Sequence, residues 1–189
     1  MNVKHIFLIS FVLFLNRNLY SQKSFICYDK VKIENITSIE ESFNSKTYQS
    51  KLESVESTND SIIRYGKLKQ YYRPENKYFG KVYVIYYYLK EDIFVRRISY
   101  SWRSHENAKL KDYSKKFDKV VKKISADLNL SIGEQGKLTK IMDTTVGDIP
   151  TEITERKVTW NYGEAIVTII MIWSEKHGAY LHTEIKWKK

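Results

Sequence analysis

Alternation of apolar and polar residues with a period of two constrains the fold of this chain more than any other feature. Residues 93–102 follow this pattern, residues 81–89 form a mainly apolar run rich in β-branched and aromatic residues, and the charged turn Lys90-Glu91-Asp92 separates them. Successive side chains of a strand point to opposite faces of a sheet, so the pattern predicts two strands joined as a hairpin. The same criteria predict four further strands, at residues 61–72, 155–162, 164–173 and 179–187.

A long amphipathic helix is predicted between the two groups of strands, over residues 106–128. Its apolar residues recur at the spacing of one helix face, and Ser104 is suited to cap its first turn. The apolar stripe comprises Leu110, Tyr113, Phe117, Val120, Val121, Ile124 and Leu128, whereas the basic face comprises Lys111, Lys115, Lys119 and Lys123. We therefore expect the stripe to pack against the sheet.

The order of the elements predicts an α+β fold. Weaker patterns indicate a short strand at residues 24–32, an irregular helix or two short ones at 35–57, and a glycine-bearing loop at 130–151. We expect an antiparallel sheet of about six strands, arranged as two β-meanders, with two helical segments packed on one face. Residues 82–102 resemble residues 166–187, since both contain an apolar strand, a charged turn and an alternating strand ending in Trp. Internal duplication of an α-β-β-β unit and convergent hairpin patterning both explain this likeness.

The N-terminus has the order of a secretory signal peptide. Lys4 and His5 precede an apolar run of about ten residues, and Ser21 is small enough for a cleavage site. A membrane-spanning helix needs ~20 apolar residues, which disfavours an uncleaved anchor. We expect residues 1–21 to be removed and 22–189 to form one domain in the periplasm or outside the cell, without a stable membrane span.

The net charge indicates which class of partner to expect, and the single cysteine bears on disulfide formation and lipid attachment. The formal net charge is +10, which favours acidic partners. Because the lysines are mostly interspersed with acids and the chain is expected to be exported, an acidic envelope polymer is preferred over nucleic acid. Cys27 is the single cysteine, so an intrachain disulfide is excluded. Ile26 precedes it where lipoprotein processing requires a small residue, which argues against a lipid anchor.

Candidate catalytic residues are few. His182 and Glu184 alternate onto the same face of a predicted strand, where a carboxylate could orient an imidazole for general-base catalysis. Asp143 and Asp148 are loop acids that could assist a hydrolase. The sequence contains no nucleophile motif, no recognisable third metal ligand and no cofactor fingerprint. We therefore expect neither cofactor nor metal, and prefer a non-enzymatic protein to the alternative, a hydrolase.

The aromatic residues are the feature of the sequence that favours a binding function. Fifteen Tyr and four Trp are many for 189 residues, and grouped aromatic and Arg side chains are typical of recognition surfaces. We predict a sheet face that binds a protein partner or an envelope polymer through Tyr86, Tyr88, Arg97 or Trp102. A register error of one residue would instead expose the other parity, namely Tyr83, Tyr87 and Arg96. An immunity-type inhibitor of a secreted toxin is a further alternative.

Overall fold

The computed structural model describes residues 25–48, 67–74, 80–103, 109–133, 135–143, 151–175 and 178–188. The predicted signal peptide, Ser104 and Asp148 lie outside these residues. Within them, a 3-10 turn (Ile33–Asn35) leads into a short helix α1 (Ile36–Glu41), and a longer helix α2 follows at Leu110–Leu128. The strands are β1 (Lys46–Thr47), β2 (Lys67–Arg73), β3 (Val82–Tyr88), β4 (Arg97–Arg103), β5 (Thr139–Asp143), β6 (Thr151–Tyr162), β7 (Ala165–Ser174) and β8 (Gly178–Trp187).

All eight strands of the described residues belong to one antiparallel sheet, in the order β1-β2-β3-β4-β8-β7-β6-β5. Strands β1 to β4 form one meander and strands β5 to β8 form another, because within each group every strand pairs with the next one in sequence. The two meanders join in the middle of the sheet, where the last strand of each, β4 and β8, pair with one another. The α+β architecture with an antiparallel sheet is therefore confirmed.

Two strands that the sequence did not predict, β1 and β5, were missed for the same physical reason. The sheet has eight described strands rather than about six, because β1 and β5 form in segments predicted as helix and loop. Both are short outer strands: β1 has two polar residues and β5 mixes polar and apolar ones, so neither shows the alternation of a half-buried strand. Residues 25–32 are not a strand either. They consist of bends and irregular backbone, and Lys32 makes an isolated bridge to Phe94.

Helix α2 packs through the predicted stripe. Tyr113, Phe117, Val120, Val121, Ile124 and Leu128 are buried. The helix begins at Leu110, a few residues later than predicted, after Lys109 as the N-cap. It ends where Asn129 adopts a left-handed conformation with φ 53°, which lets the N–H of Leu130 donate to the carbonyl of Ser125 at 3.0 Å. No helix of the described residues is long and apolar enough to cross a membrane.

The two faces of the sheet differ in burial. In β3 the even-numbered residues from Val82 to Tyr88 are buried and the odd-numbered residues are partly exposed. The same alternation separates the core residues of β7 and β8 from their neighbours. We call the buried side, which α1 and α2 pack against, the covered face. The opposite side is called the open face.

A buried ion pair between Arg73 and Glu40 connects α1 and the N-terminal segment to the covered face. Arg73 of β2 and Glu40 of α1 are 0% and 1% exposed, and the Nη2 of Arg73 donates to the carboxylate at 2.5 Å. The hydroxyl of Tyr86 also donates to this carboxylate at 2.5 Å, and the Nη1 of Arg73 donates to the carbonyl of Phe25. Burial raises the pKa of the Tyr86 hydroxyl, which therefore keeps its proton as a donor. A buried charge pair persists when its remaining hydrogen-bonding capacity is satisfied in this way.

Phe117 tests the packing of α2. Its side chain is 1% exposed, and the guanidinium of Arg156 lies over its ring at 4.5 Å from the centroid. We expect Phe117→Ala to lower the free energy of unfolding by about 3–5 kcal/mol, because the truncation leaves a cavity in the core. The exposed Lys115 on the same helix is the control, and Lys115→Ala should change stability by less than about 0.5 kcal/mol. Urea denaturation measures both, and equal stability of the two variants would contradict this packing.

Candidate binding face

Strand register brings residues from both halves of the chain together on the open face. A row of cross-strand neighbours runs from Tyr72 in β2 to Tyr83 in β3, Ser101 in β4, His182 in β8 and Ile170 in β7. A second row, four residues along β3, contains Tyr87, Arg97 and Lys186. Cross-strand neighbours on one face lie within contact distance of one another. The open face is therefore a composite of both meanders.

Tyrosine rings contact one another at the β1 side of this face. The ring of Tyr83 lies between those of Tyr48 and Tyr72, with centroid distances of 5.2 and 5.4 Å. These distances and the tilted or edge-on geometry are those that aromatic pairs prefer. Tyr72 and Tyr83 are partly exposed. The contacts hold the rings in place while leaving part of each hydroxyphenyl group available to solvent.

Arg97 links the tyrosines to β8. Its guanidinium carbon lies 3.9 Å from the centroid of the Tyr87 ring, which is a cation–π arrangement. Its Nη1 donates to the carboxylate of Glu184 at 3.0 Å. The guanidinium is therefore held between an aromatic ring and a carboxylate, both on the open face.

His182 makes two contacts on the open face. Its Nδ1 lies 3.1 Å from the Oγ of Ser101, and the ring of Tyr180 stacks on the imidazole with centroids 5.6 Å apart. Burial, reinforced by the positive charge of Arg97, lowers the pKa of His182 to about 4. The imidazole is therefore uncharged at neutral pH, where it can accept or donate a hydrogen bond but carries no charge for binding an anion.

The predicted catalytic pair does not form in the described residues. His182 and Glu184 share the open face, but the Glu184 carboxylate binds Arg97 rather than orienting the imidazole. The contact between Ser101 and His182 resembles a nucleophile and its base. A base whose pKa is about 4 is, however, weak at neutral pH. Asp143 lies on β5, which β6 and β7 separate from β8, and it pairs with Thr151, whereas His182 is in register with Lys157 of β6.

The predicted exposed patch has the wrong parity. Tyr86 and Trp102 are 0% exposed and Tyr88 is 7% exposed, so all three belong to the core of the covered face. Arg97 does lie on the open face, as does Tyr87 from the other parity. Arg96 instead binds Asp92 in the β3–β4 connection at 2.6 Å.

Tyrosines occur at both parities of β3, so alternation in this strand does not indicate which face is covered. The informative signal was in β4, where Ile98, Tyr100 and Trp102 alternate with Arg97, Ser99 and Ser101. The polar parity of an amphipathic strand is expected to face solvent. Sequence reasoning also missed Ser101 and Tyr180, since their roles depend on pairing between distant strands.

Comparison with protein-family models, with curated proteins and with solved structures finds no match. Among the described residues, no group of three or more His, Cys, Asp or Glu is arranged to hold a metal ion. The function therefore has to be inferred from the side chains of the open face.

His182 predicts how stability depends on pH. An unfolded histidine accepts a proton below about pH 6.5, whereas folded His182 accepts one only near pH 4. Between these values the unfolded state binds more protons, so stability falls as the pH falls from about 6.5 to 4. We expect a loss of about 1–3 kcal/mol, which His182→Gln removes. Urea denaturation of wild type and variant across this range measures the difference, and parallel pH curves would contradict it.

Proposed function

We propose that this protein is an exported binding module whose open face contacts a protein partner or an acidic envelope polymer. The observation that supports it is the set of tyrosines, with Arg97, on a sheet face that neither described helix packs against. The set consists of Tyr48, Tyr72, Tyr83, Tyr87 and Tyr180. Tyrosine and arginine are enriched among the residues that contribute most to binding energy in protein interfaces.

The fixed positions of these side chains favour a binding role. Ordering a mobile side chain on association costs about 0.5–1.5 kcal/mol, so residues already held by neighbours bind at lower entropic cost. The contacts of Tyr83 with Tyr48 and Tyr72, and of Arg97 with Tyr87, supply this order before any partner arrives. Each tyrosine offers both an apolar ring and a hydroxyl, which suits a partner of mixed polarity.

Charge on the open face favours an acidic partner. Lys186 of β8 and Lys157 of β6 are exposed there, and the whole chain carries a net charge of +10. Exposed lysines at the rim of an interface mainly increase the association rate, and the effect falls as salt concentration rises. The aromatic centre would then supply most of the affinity, and the lysines would steer the partner toward it.

The hydrolase alternative rests on the contact between Ser101 and His182. Its geometry meets the first requirement of a serine nucleophile, a base within hydrogen-bond reach. The second requirement is a group that orients the imidazole and stabilises its protonated form. Glu184 does not meet it, because its carboxylate binds Arg97. Binding is therefore the better supported proposal. Hydrolysis of an ester substrate that Ser101→Ala abolishes would favour the alternative instead.

We also infer that the open face arose with an internal duplication. A helix precedes each run of four strands, and the final strands of both runs meet at the centre of the sheet. The inferred unit thus gains an outer strand, β1 or β5, relative to the α-β-β-β unit. Such a history would explain why the residues of the binding face come from both halves.

Site-specific photocrosslinking tests the binding role with a matched pair of positions. Tyr180 lies on the open face and Tyr162 at the end of β6, and they are almost equally exposed, at 41% and 39%. A benzophenone amino acid would replace each in turn in the native host. If the open face binds a partner, we expect a discrete adduct from position 180 at least fivefold stronger than from position 162.

Adducts of equal yield at both positions, or none at position 180, would contradict the proposal. Mass spectrometry of the adduct separates the two partner classes, since a protein gives tryptic peptides and a polymer gives none. The substitution Arg97→Ala should weaken the adduct from position 180, because it removes the cation that orders Tyr87.

A further inference from the structure

A groove of about 800 Å³ opens at the end of the sheet where β4 begins and β8 ends. Ile93 and Phe94, from the connection between β3 and β4, line one part of it, and Ile166 and Trp187 line another. Backbone hydrogen bonds fix the end of β8 beside the groove. The N–H of Trp187 donates to the carbonyl of Arg96, and the N–H of Lys188 donates to the carbonyl of Glu164. This volume lies in the range of pockets that take small-molecule ligands.

Apolar side chains in this groove are unusually exposed. Ile93 is 70% exposed, more than any other large hydrophobic residue among the described part of the chain, and its neighbour Phe94 is 37% exposed. Two adjacent exposed hydrophobic residues beside a concave surface indicate a site for an apolar ligand group. Ile93, Phe94 and Lys30 are not open-face residues, whereas Ile166 and Lys186 are, so the groove lies at the edge of the proposed binding face and shares Lys186 with it.

Lysines surround the apolar part of the groove. Lys30, Lys186 and Lys188 line it, and within the described residues none of the three forms an ion pair. Asp92 neutralises Arg96 at 2.6 Å, which leaves Glu91 as the opposing charge. Three unneutralised lysines against one glutamate make the rim of the groove basic, so an acidic group is the complementary one.

We propose that the groove binds a single-chain anionic amphiphile, an acyl chain with an acidic head group. The chain covers Ile93, Phe94 and Ile166, which removes their apolar surface from water. The head group lies among Lys30, Lys186 and Lys188, where charge-assisted hydrogen bonds are available to a carboxylate, phosphate or sulfate. A concave groove of this size suits a free amphiphile better than the flat surface of a membrane.

Isothermal titration calorimetry with dodecanoate tests the site directly. We expect saturable binding of one dodecanoate per chain, and at least tenfold weaker binding of dodecyltrimethylammonium, which has the same chain length and the opposite charge. Ile93→Asp and Lys188→Glu should each weaken dodecanoate binding at least tenfold. Because both side chains are exposed, neither substitution should lower the melting temperature appreciably.

Matched controls are available elsewhere on the surface. Leu138→Asp replaces another exposed hydrophobic residue, at 49% exposure, and Lys115→Glu reverses an exposed lysine on α2. Neither should change the affinity. Absence of dodecanoate binding, equal binding of the cationic amphiphile, or unchanged affinity in Ile93→Asp would overturn the proposal. Binding to phosphatidylglycerol vesicles without binding of free dodecanoate would assign the surface to membranes instead, and none of these outcomes affects the crosslinking result at Tyr180.

Discussion

The pairing of β4 with β8 is the interaction on which the rest of the structure depends. Seven consecutive residue pairs, from Arg97 with Lys186 to Arg103 with Tyr180, join the two meanders into one sheet. This pairing places Ser101 beside His182, 81 residues away in sequence, and Arg97 beside Glu184. A slip of one residue would turn His182 toward the core and Thr183 toward solvent, because side chains alternate between faces.

The choice of covered face follows from the buried polar cluster around Arg73. Glu40 of α1 reaches Arg73 and Tyr86 through the same carboxylate, so α1 can pack on one side of the sheet alone. The N-terminal segment is held to that side as well, because the N–H of Cys27 donates to the hydroxyl of Tyr100 at 2.9 Å. Charged and hydroxyl groups in this core thus determine which tyrosines are buried and which remain for binding.

Sequence periodicity predicted the elements with strong patterns and missed those specified by tertiary contacts. The stripe of α2 and the inner strands follow from periods of 3.6 and 2, which reflect one-sided burial. The outer strands β1 and β5 have no such burial pattern. The face assignment failed because Arg73 and Glu40, residue types expected at the surface, are buried against Tyr86. The shared face of His182 and Glu184 follows from alternation, but their partners Ser101 and Arg97 come from a distant strand that alternation does not identify.

Hydroxyl-radical footprinting of the tyrosines, read by mass spectrometry, tests most directly the claim that the odd-numbered face of β3 is the open one. Tyr83, Tyr87 and Tyr180 should be oxidised in the folded protein, with Tyr180 the most reactive at 41% exposure. Tyr86 and Tyr100, both 0% exposed, should be protected until the protein is unfolded. Oxidation of Tyr86 at a rate similar to that of Tyr83 in the folded state would contradict the assignment of the faces, and with it the proposed binding surface.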